Sequence, residues 1–554
     1  MSDGPLYDTL IEYLEHWATT SPDDTWLRDR HGDDIRDWSW GQVREQVHAL
    51  AAWQEQHFGG NGAKVGILSR NCAHWFMADL GSMAAGNVVI PMFTTLPGET
   101  AQYVMDFTDM QLLFVGQTEN WDQVSQVLPE GITLVTLPGA QVDQPHLAWD
   151  DIVTPHIGER PSYQCKPDDL TSIVFTSGTT GVPKGVMQSH ASNITPIDRF
   201  KHAFALPDRS RYFSYLPLSH IAERQIVEGS SLMNGGVVYF NENLLTILRD
   251  LPDCRPHLMF GPPRVWEQLQ QVIIGHFGGQ EAVEQALADD KEGTGKQVRD
   301  MLGLDDAIYL LTAAAPTPPA LIDWYGQFGL VLMEGFGQTE AMGLIANTKE
   351  DRRIGSIGRP IGEVEVKLSE EDELLVKAGG LSAGYYKMPE KTAETFQDGW
   401  VHTGDKARID EEGFIFLTGR VKDYFKTIQG KFVAPTPIEN EFSKNPHTEQ
   451  ICLLGRGYSK TVMVCVLSGI AQQSDRDKVE EDLREVATKV NDEVDKHARI
   501  GAVIIATEPW TIDNSMLTPT LKIRRERIEG QFGEKAQDLA RNAAEQGELL
   551  LHWY

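Results

Sequence analysis

Basic residues are scarce beside acidic ones. Lys and Arg together number 49 against 80 Asp and Glu, a formal net charge of −31. A general nucleic-acid binder needs a basic face to neutralise phosphates, so that class is excluded. A small anionic ligand is not, because local groups can build a positive pocket on an acidic surface. Cysteine is sparse as well: Cys72, Cys165, Cys254, Cys452 and Cys465 are widely spaced, with no C-x-x-C pair. That removes zinc fingers and thioredoxin-like redox chemistry, and an odd, sparse count fits a reducing compartment. No run approaches the roughly 20 apolar residues that span a bilayer. The opening residues M-S-D-G-P-L-Y-D have neither a basic stretch nor an apolar core. No secretory signal is visible, and the expected location is cytoplasmic. Monotopic attachment leaves a weak sequence trace, so peripheral membrane contact stays open. Repeats and low-complexity segments are also lacking.

What is present is a chain of 554 residues, 41% of them hydrophobic, enough for a substantial core. Leu10, Tyr13, Leu14 and Trp17 fall at helical spacing. Val65–Leu68, Val88–Ile90, Leu112–Val115 and Ile132–Val135 read as compact apolar strands. A helix runs between the first two from about Cys72 to a stop at Gly86, and another occupies 98–108. Alternating apolar strands and helices predict α/β layers with largely parallel sheets. The charged, Gly-containing stretch 287–297 predicts an exposed loop. After about residue 420 the pattern changes. Strands at 451–454, 462–467 and 502–506, a charged helix at 474–497 and a terminal helix at 525–550 predict a small α+β domain. The boundary falls near Gly419–Asp423, giving domains of 1–420 and 421–554.

Residues 172–185 read S-I-V-F-T-S-G-T-T-G-V-P-K-G. An apolar strand enters a loop in which Gly178, Gly181 and Gly185 permit unusual backbone angles. Backbone N–H groups and the hydroxyls of Thr176, Ser177, Thr179 and Thr180 can cradle phosphate oxygens, and Lys184 adds a positive charge. The spacing is not that of a Walker A loop. A plain hydrophilic turn does not explain four hydroxyls, three glycines and a lysine together.

This loop resembles the phosphate-binding motif of the adenylate-forming superfamily, which comprises acyl-CoA synthetases, peptide-synthetase adenylation domains and luciferases. Further motifs follow in family order to about residue 525. Leu216-Pro217-Leu218-Ser219-His220, continuing Ile221-Ala222-Glu223-Arg224, implies that His220 lies beside the substrate carboxylate. Residues 256–268, P-H-L-M-F-G-P-P-R-V-W-E-Q, resemble a segment of long-chain fatty acyl-CoA synthetases, with Pro262 for the usual Val. Thr312-Ala313-Ala314-Ala315-Pro316 places small residues, Ala314 among them, against adenine; the family more often has Gly at position 313.

Glu334-Gly335-Phe336-Gly337-Gln338-Thr339-Glu340 resembles the element that contacts the nucleotide. The resemblance implies that Phe336 stacks on adenine beside Glu334 and Gly335 and that Thr339 meets the α-phosphate. It implies too that Glu340 holds Mg²⁺, a hard cation that takes carboxylate and phosphate oxygens, with Thr176 as the second metal ligand. The resemblance further gives Asp405 to the ribose hydroxyls, Arg420 to ribose and phosphate, and Lys422 to the hinge. Suitable chemistry stands behind the first two: a carboxylate accepting hydroxyl protons and a permanently charged guanidinium. Leu517-Thr518-Pro519-Thr520-Leu521-Lys522 matches the segment of the catalytic lysine, whose ammonium would stabilise charge developing between carboxylate and α-phosphate.

The resemblance therefore implies a large adenylate-forming domain and a small mobile domain carrying Lys522. Catalytic roles fall to Lys522, His220, Thr339 and Glu340. The implied activity is that of an AMP-forming fatty acyl-CoA synthetase with a medium- to long-chain fatty acid, ATP, Mg²⁺ and coenzyme A. Acyl-AMP and pyrophosphate form first; the CoA thiol then takes the acyl group. Two other readings stand beside it: an adenylating enzyme with another acceptor or a non-fatty acid, and a nucleotide-binding regulator without ligase activity.

Overall fold

The computed structural model describes residues 6–59, 62–176, 183–472, 474–512, 514–518 and 522–554. The chain divides into two compact units. One comprises residues up to Lys367 with Leu375–His402 and Asp410–Ile415; the other comprises Leu368–Leu374, Thr403–Ile409 and Phe416–Tyr554. Asp405 and Arg420, expected in the large domain, are thus grouped with the second unit.

The first unit is built on two sheets. In the seven-stranded sheet the order is Leu147–Ala148, Thr133–Thr136, Leu112–Val115, Lys64–Leu68, Val88–Met92, Leu170–Thr176 and Lys184–Ser189. All neighbours are parallel except the last two, which form an antiparallel hairpin. The nine-stranded sheet has a parallel centre running from Leu332–Gln338 through Tyr309–Thr312, Leu258–Gly261, Arg211–Ser214 and Val237–Phe240 to Thr25–His31, with antiparallel strands at both ends. These strands read as continuous apolar runs because both faces are covered: all residues of Leu112–Val115, Val88–Met92 and Tyr309–Thr312 are buried.

One core contains side chains from both sheets, among them Val65, Phe114, Leu258 and Met333. The helix Ala73–Ala84 belongs to it and is buried along its whole length, its one charged side chain, Asp79, paired with Arg224. The first helix, Leu10–Thr20, starts at a capping box in which Thr9 accepts from Glu12 N and Glu12 answers at Thr9 N.

The expected loop at 287–297 is a correction. It is helical, with Gln280–Asp289 and Lys291–Leu302 meeting at Asp290, whose carboxylate caps the second helix at Gly293 N, 2.9 Å away. Gly295 suggested a loop but serves packing: a Cβ there would lie 3.1 Å from Phe328 O.

The second unit centres on a four-stranded sheet. Thr448–Leu454 pairs antiparallel with Thr461–Leu467, which is parallel to Ile500–Ala506, itself parallel to Leu550–Trp553. Alternate residues divide between two cores. Met463, Cys465, Val503 and Ile505 pack with the charged helix Arg476–Glu493, while Val462, Val464, Ala502 and Ile504 pack with the terminal helix Arg525–Gln546. The tail is therefore the sheet's fourth strand. No helix among the described residues is long and apolar enough to cross a membrane.

Candidate functional site

In the first unit the strand Leu170–Thr176 and its return Lys184–Ser189 place Thr176 opposite Lys184 in the ladder. Thr176 and Lys184 thus flank the Gly- and Thr-rich stretch, of which Ser177, Gly178, Thr179, Thr180 and Gly181 lie outside the described residues. The Lys184 ammonium stands 4.8 Å above the centre of the Tyr385 ring. The Tyr385 hydroxyl donates to Glu340 Oε1 at 2.6 Å. Burial, then the Glu340 charge, pushes the Tyr385 phenol above its ordinary value, so it remains a donor. Tyr385 therefore joins two expected ligand groups. Sequence reasoning missed it; the signal was the Gly384-Tyr385-Tyr386 run, whose backbone is held by hydrogen bonds to Gly185 and Met187.

Glu340 stands two residues past the end of the strand Leu332–Gln338, after Thr339. Its carbonyl accepts from Ser382 N at 3.0 Å, while Gln188 donates to Thr339 O at 2.7 Å. Glu334 is buried and accepts from Gly355 N at 3.0 Å. Burial pushes its carboxyl up to about 7 against the one hydrogen bond. Gly335 and Phe336 are half-buried on the same strand. A Cβ on Gly335 would meet nothing closer than Ile345 O at 3.4 Å, so internal packing does not demand glycine there. Room for a flat ligand against the backbone is a use for it.

The small-residue motif follows the strand Tyr309–Thr312. Ala314 is exposed and adopts φ +71°, a left-handed conformation costing an alanine about 1 kcal/mol. The departure from the family falls at Ala313; the strained position is the next one. Such strain concentrates at ligand sites.

His220 caps the turn Ile221–Glu223, its Nδ1 accepting from Ala222 N at 3.2 Å. A neutral ring then carries its proton on Nε2. Two residues tie this turn down. Glu223 Oε1 accepts from Ser214 Oγ at 2.9 Å and Tyr215 N at 3.1 Å. Asn71, which the sequence did not single out, donates to Leu216 O at 2.7 Å and accepts from Leu218 N at 3.2 Å. Burial pushes the Glu223 carboxyl up to about 8. A π-helical turn, Arg224–Gly229, follows, a distortion frequent at functional sites. Tyr212 and Trp266 are fully buried core residues.

Within the second unit, Arg420 Nε lies 2.8 Å from Asp405 Oδ1. Asp405 is buried and Arg420 half-exposed, so the guanidinium caps the carboxylate from the solvent side. Lys422 is exposed in the turn after Arg420. Lys522 is exposed on a small hairpin: Thr518 N donates to Lys522 O at 2.8 Å, Lys522 N to Thr518 Oγ1 at 3.0 Å, and Leu517 bridges Ile523. The intervening residues 519–521 lie outside the described residues.

In the first unit Lys184 and Glu340 thus meet at the Tyr385 ring, two residues past the glycine-bearing strand Leu332–Gln338. The AMP-binding enzyme family matches residues 14–386, and the AMP-binding enzyme C-terminal domain matches residues 422–543. The chain belongs to the AMP-binding enzyme family. Within it, the chain is an adenylate-forming protein resembling long-chain fatty acyl-CoA synthetases. The peroxisomal long chain acyl-CoA synthetase 6 of Arabidopsis thaliana is 27% identical over 96% of this chain and 86% of that one. Two solved structures share the fold. The adenylation domain of a carboxylate reductase from Mycobacterium chelonae has a TM-score of 0.80 at 20% identity, covering 97% of this chain and 92% of its own. An anthranilate CoA ligase in complex with anthranoyl-AMP has a TM-score of 0.78 at 20% identity, covering 98% and 99%.

Proposed function

We propose that the protein is an AMP-forming acyl-CoA synthetase acting on medium- to long-chain fatty acids. The observation that carries the nucleotide half of this reading is the Lys184–Tyr385–Glu340 chain at the loop hairpin. The ammonium and the loop hydroxyls would bind phosphate oxygens. Glu340 and Thr176 offer hard oxygen donors that fit Mg²⁺, which takes one or two carboxylates together with substrate phosphates. Bound there, the ion would neutralise phosphate charge. The fatty acid is suggested by the named relative and by the L-S-H-I-A-E-R and L-T-P-T-x-K forms of the motifs.

In this reading His220 orients the acid's carboxylate. A carboxylate oxygen attacks the α-phosphorus of ATP and pyrophosphate leaves. Thr339 contacts the α-phosphate, and Lys522 stabilises the charge developing there. Phe336, Gly335 and Ala314 line the adenine. Glu334 flanks that strand, and Asp405 and Arg420 take the ribose. The CoA thiol then attacks the acyl carbonyl and AMP leaves. Lys422 is the proposed hinge between domains 1–420 and 421–554. No covalent enzyme intermediate is required, so catalysis rests on position and charge.

The likeness to a carboxylate reductase domain keeps a second reading, in which another acceptor replaces CoA. AMP and pyrophosphate release with acids from short to long chain, with and without CoA, separates the two. CoA-dependent AMP release peaking at medium or long chains is expected. Pyrophosphate exchange without CoA-dependent turnover would favour the other acceptor, and ATP binding without AMP production would overturn both.

A further inference from the structure

Three residues beyond Lys522, the side chain of Arg525 opens the terminal helix and turns inward. Its Nη2 donates to both carboxylate oxygens of Glu439, at 2.7 and 3.0 Å. Its Nη1 donates to Leu453 O at 2.6 Å and meets Cys452 Sγ at 3.2 Å. Nε, without a hydrogen-bond partner among the described residues, lies 4.0 Å from Asp423 Oδ2. Glu439 in turn accepts from Leu453 N at 2.7 Å. One planar fork thus joins the terminal helix to the helix Pro435–Phe442 and the strand Thr448–Leu454, close to the turn that ends at Asp423.

The Lys522 hairpin is seated at its first flank, where Met516 and Leu517 are buried in one core with Ile528 and Phe532 of the terminal helix. It is closed by the Thr518–Lys522 bonds, the Leu517–Ile523 bridge and Arg524 N donating to Met516 O at 2.9 Å. A short two-stranded ribbon is marginal alone and takes its direction from what holds its base. Arg525 holds the second flank of that base. An apolar side chain of similar volume would serve packing as well or better than a buried ion pair, so the fork's distinctive contribution is direction. We propose that Arg525 is a positioning residue for Lys522, fixing the base of its hairpin through Glu439 and Leu453. The proposal rests on the adenylation role of Lys522 given above.

The test separates the half-reactions in Arg525→Met, Arg525→Lys and the double variant Arg525→Met/Glu439→Met, with Lys522→Ala beside them. In Arg525→Met, pyrophosphate release from ATP and fatty acid should fall roughly 10- to 100-fold in kcat, with both KM values within about twofold. Thioester formation from supplied acyl-AMP should stay within about twofold of the parent. Arg525→Lys should recover part of the loss, as a charge without the fork. The double variant replaces the ion pair by apolar contact and keeps the question open to measurement should the single variant fail to fold. It should remain slow in adenylation. Parental adenylation in the folded double variant, or equal loss of both half-reactions in a folded single variant, would overturn the proposal while leaving Lys522 its role. Undiminished adenylation in Lys522→Ala would remove the role and the proposal together.

Discussion

The Tyr385 hydroxyl donates to Glu340 Oε1 at 2.6 Å while the Lys184 ammonium stands over the same ring. An aromatic ring thus separates the cation of the phosphate-loop hairpin from the carboxylate proposed for the metal. Its face attracts the ammonium and its hydroxyl fixes the carboxylate, so one side chain orients both.

Tyr385→Phe tests that arrangement. The ring and its contact with Lys184 survive; the bond to a charged acceptor does not. Such bonds contribute about 1.5–3 kcal/mol, so AMP release should fall roughly 10- to 100-fold, with a higher Mg²⁺ requirement. The check is a Mg²⁺ titration of initial rates. An unchanged Mg²⁺ dependence would separate Tyr385 from the metal.

Lys522→Ala should abolish acyl-AMP formation and largely spare thioester formation from supplied acyl-AMP. Lys522 is exposed, and surface substitutions usually shift stability by no more than about 0.5 kcal/mol, so the variant should fold as the parent does. Rapid-quench measurement of each half-reaction decides it, and equal loss in both would remove the assigned role.

Glu334 predicts a stability slope. Burial raises its folded value to about 7 from an ordinary 4.5. Between those values the folded chain holds a proton that the unfolded chain has lost, so stability falls as pH rises through the window. Glu334→Gln keeps an acceptor for Gly355 N and cannot ionise. The melting temperature of the variant relative to the parent should therefore rise between pH 5 and pH 8. A pH-independent difference would count against a buried, protonated Glu334.

Much of this site was legible because its chemistry is contiguous in sequence. The strand entering the phosphate loop, Thr176 and Lys184 lie within one hairpin, and Gly335 to Glu340 lie on and just after one strand. Tyr385 escaped because it reaches Glu340 across 45 residues, through backbone pairing with Gly185 and Met187 that no local pattern records. Asn71 escaped likewise, tied to the His220 turn from the far side of the first unit's sequence. The misread stretch 287–297 had glycines and charges that suit a loop, but Asp290 caps a helix there and Gly295 admits the Phe328 carbonyl. The strained Ala314 carries no sequence signal, since a left-handed position normally advertises itself as glycine.

Beneath the His220 turn lies a buried cluster that makes the last prediction. Arg224 Nη2 meets both oxygens of Asp79, at 2.7 and 2.6 Å, and Nε lies 3.7 Å from Glu228 Oε2. All three side chains are almost wholly buried. Two ionised carboxylates against one guanidinium would leave a net charge in the core. Burial, with the Asp79 charge adding, holds Glu228 well above its ordinary value, so Glu228 keeps its proton and the cluster is neutral. Removing the one cation should then be costly and removing the one proton-bearing acid should not. Arg224→Met should destabilise by about 3–5 kcal/mol, the usual result of stranding a buried charge. Glu228→Gln, already neutral in effect, should cost less than about 1 kcal/mol. Urea unfolding at pH 7 measures both. If Glu228→Gln proved as damaging as Arg224→Met, the proton would have been assigned to the wrong carboxyl, and Asp79→Asn would become the nearly silent change instead.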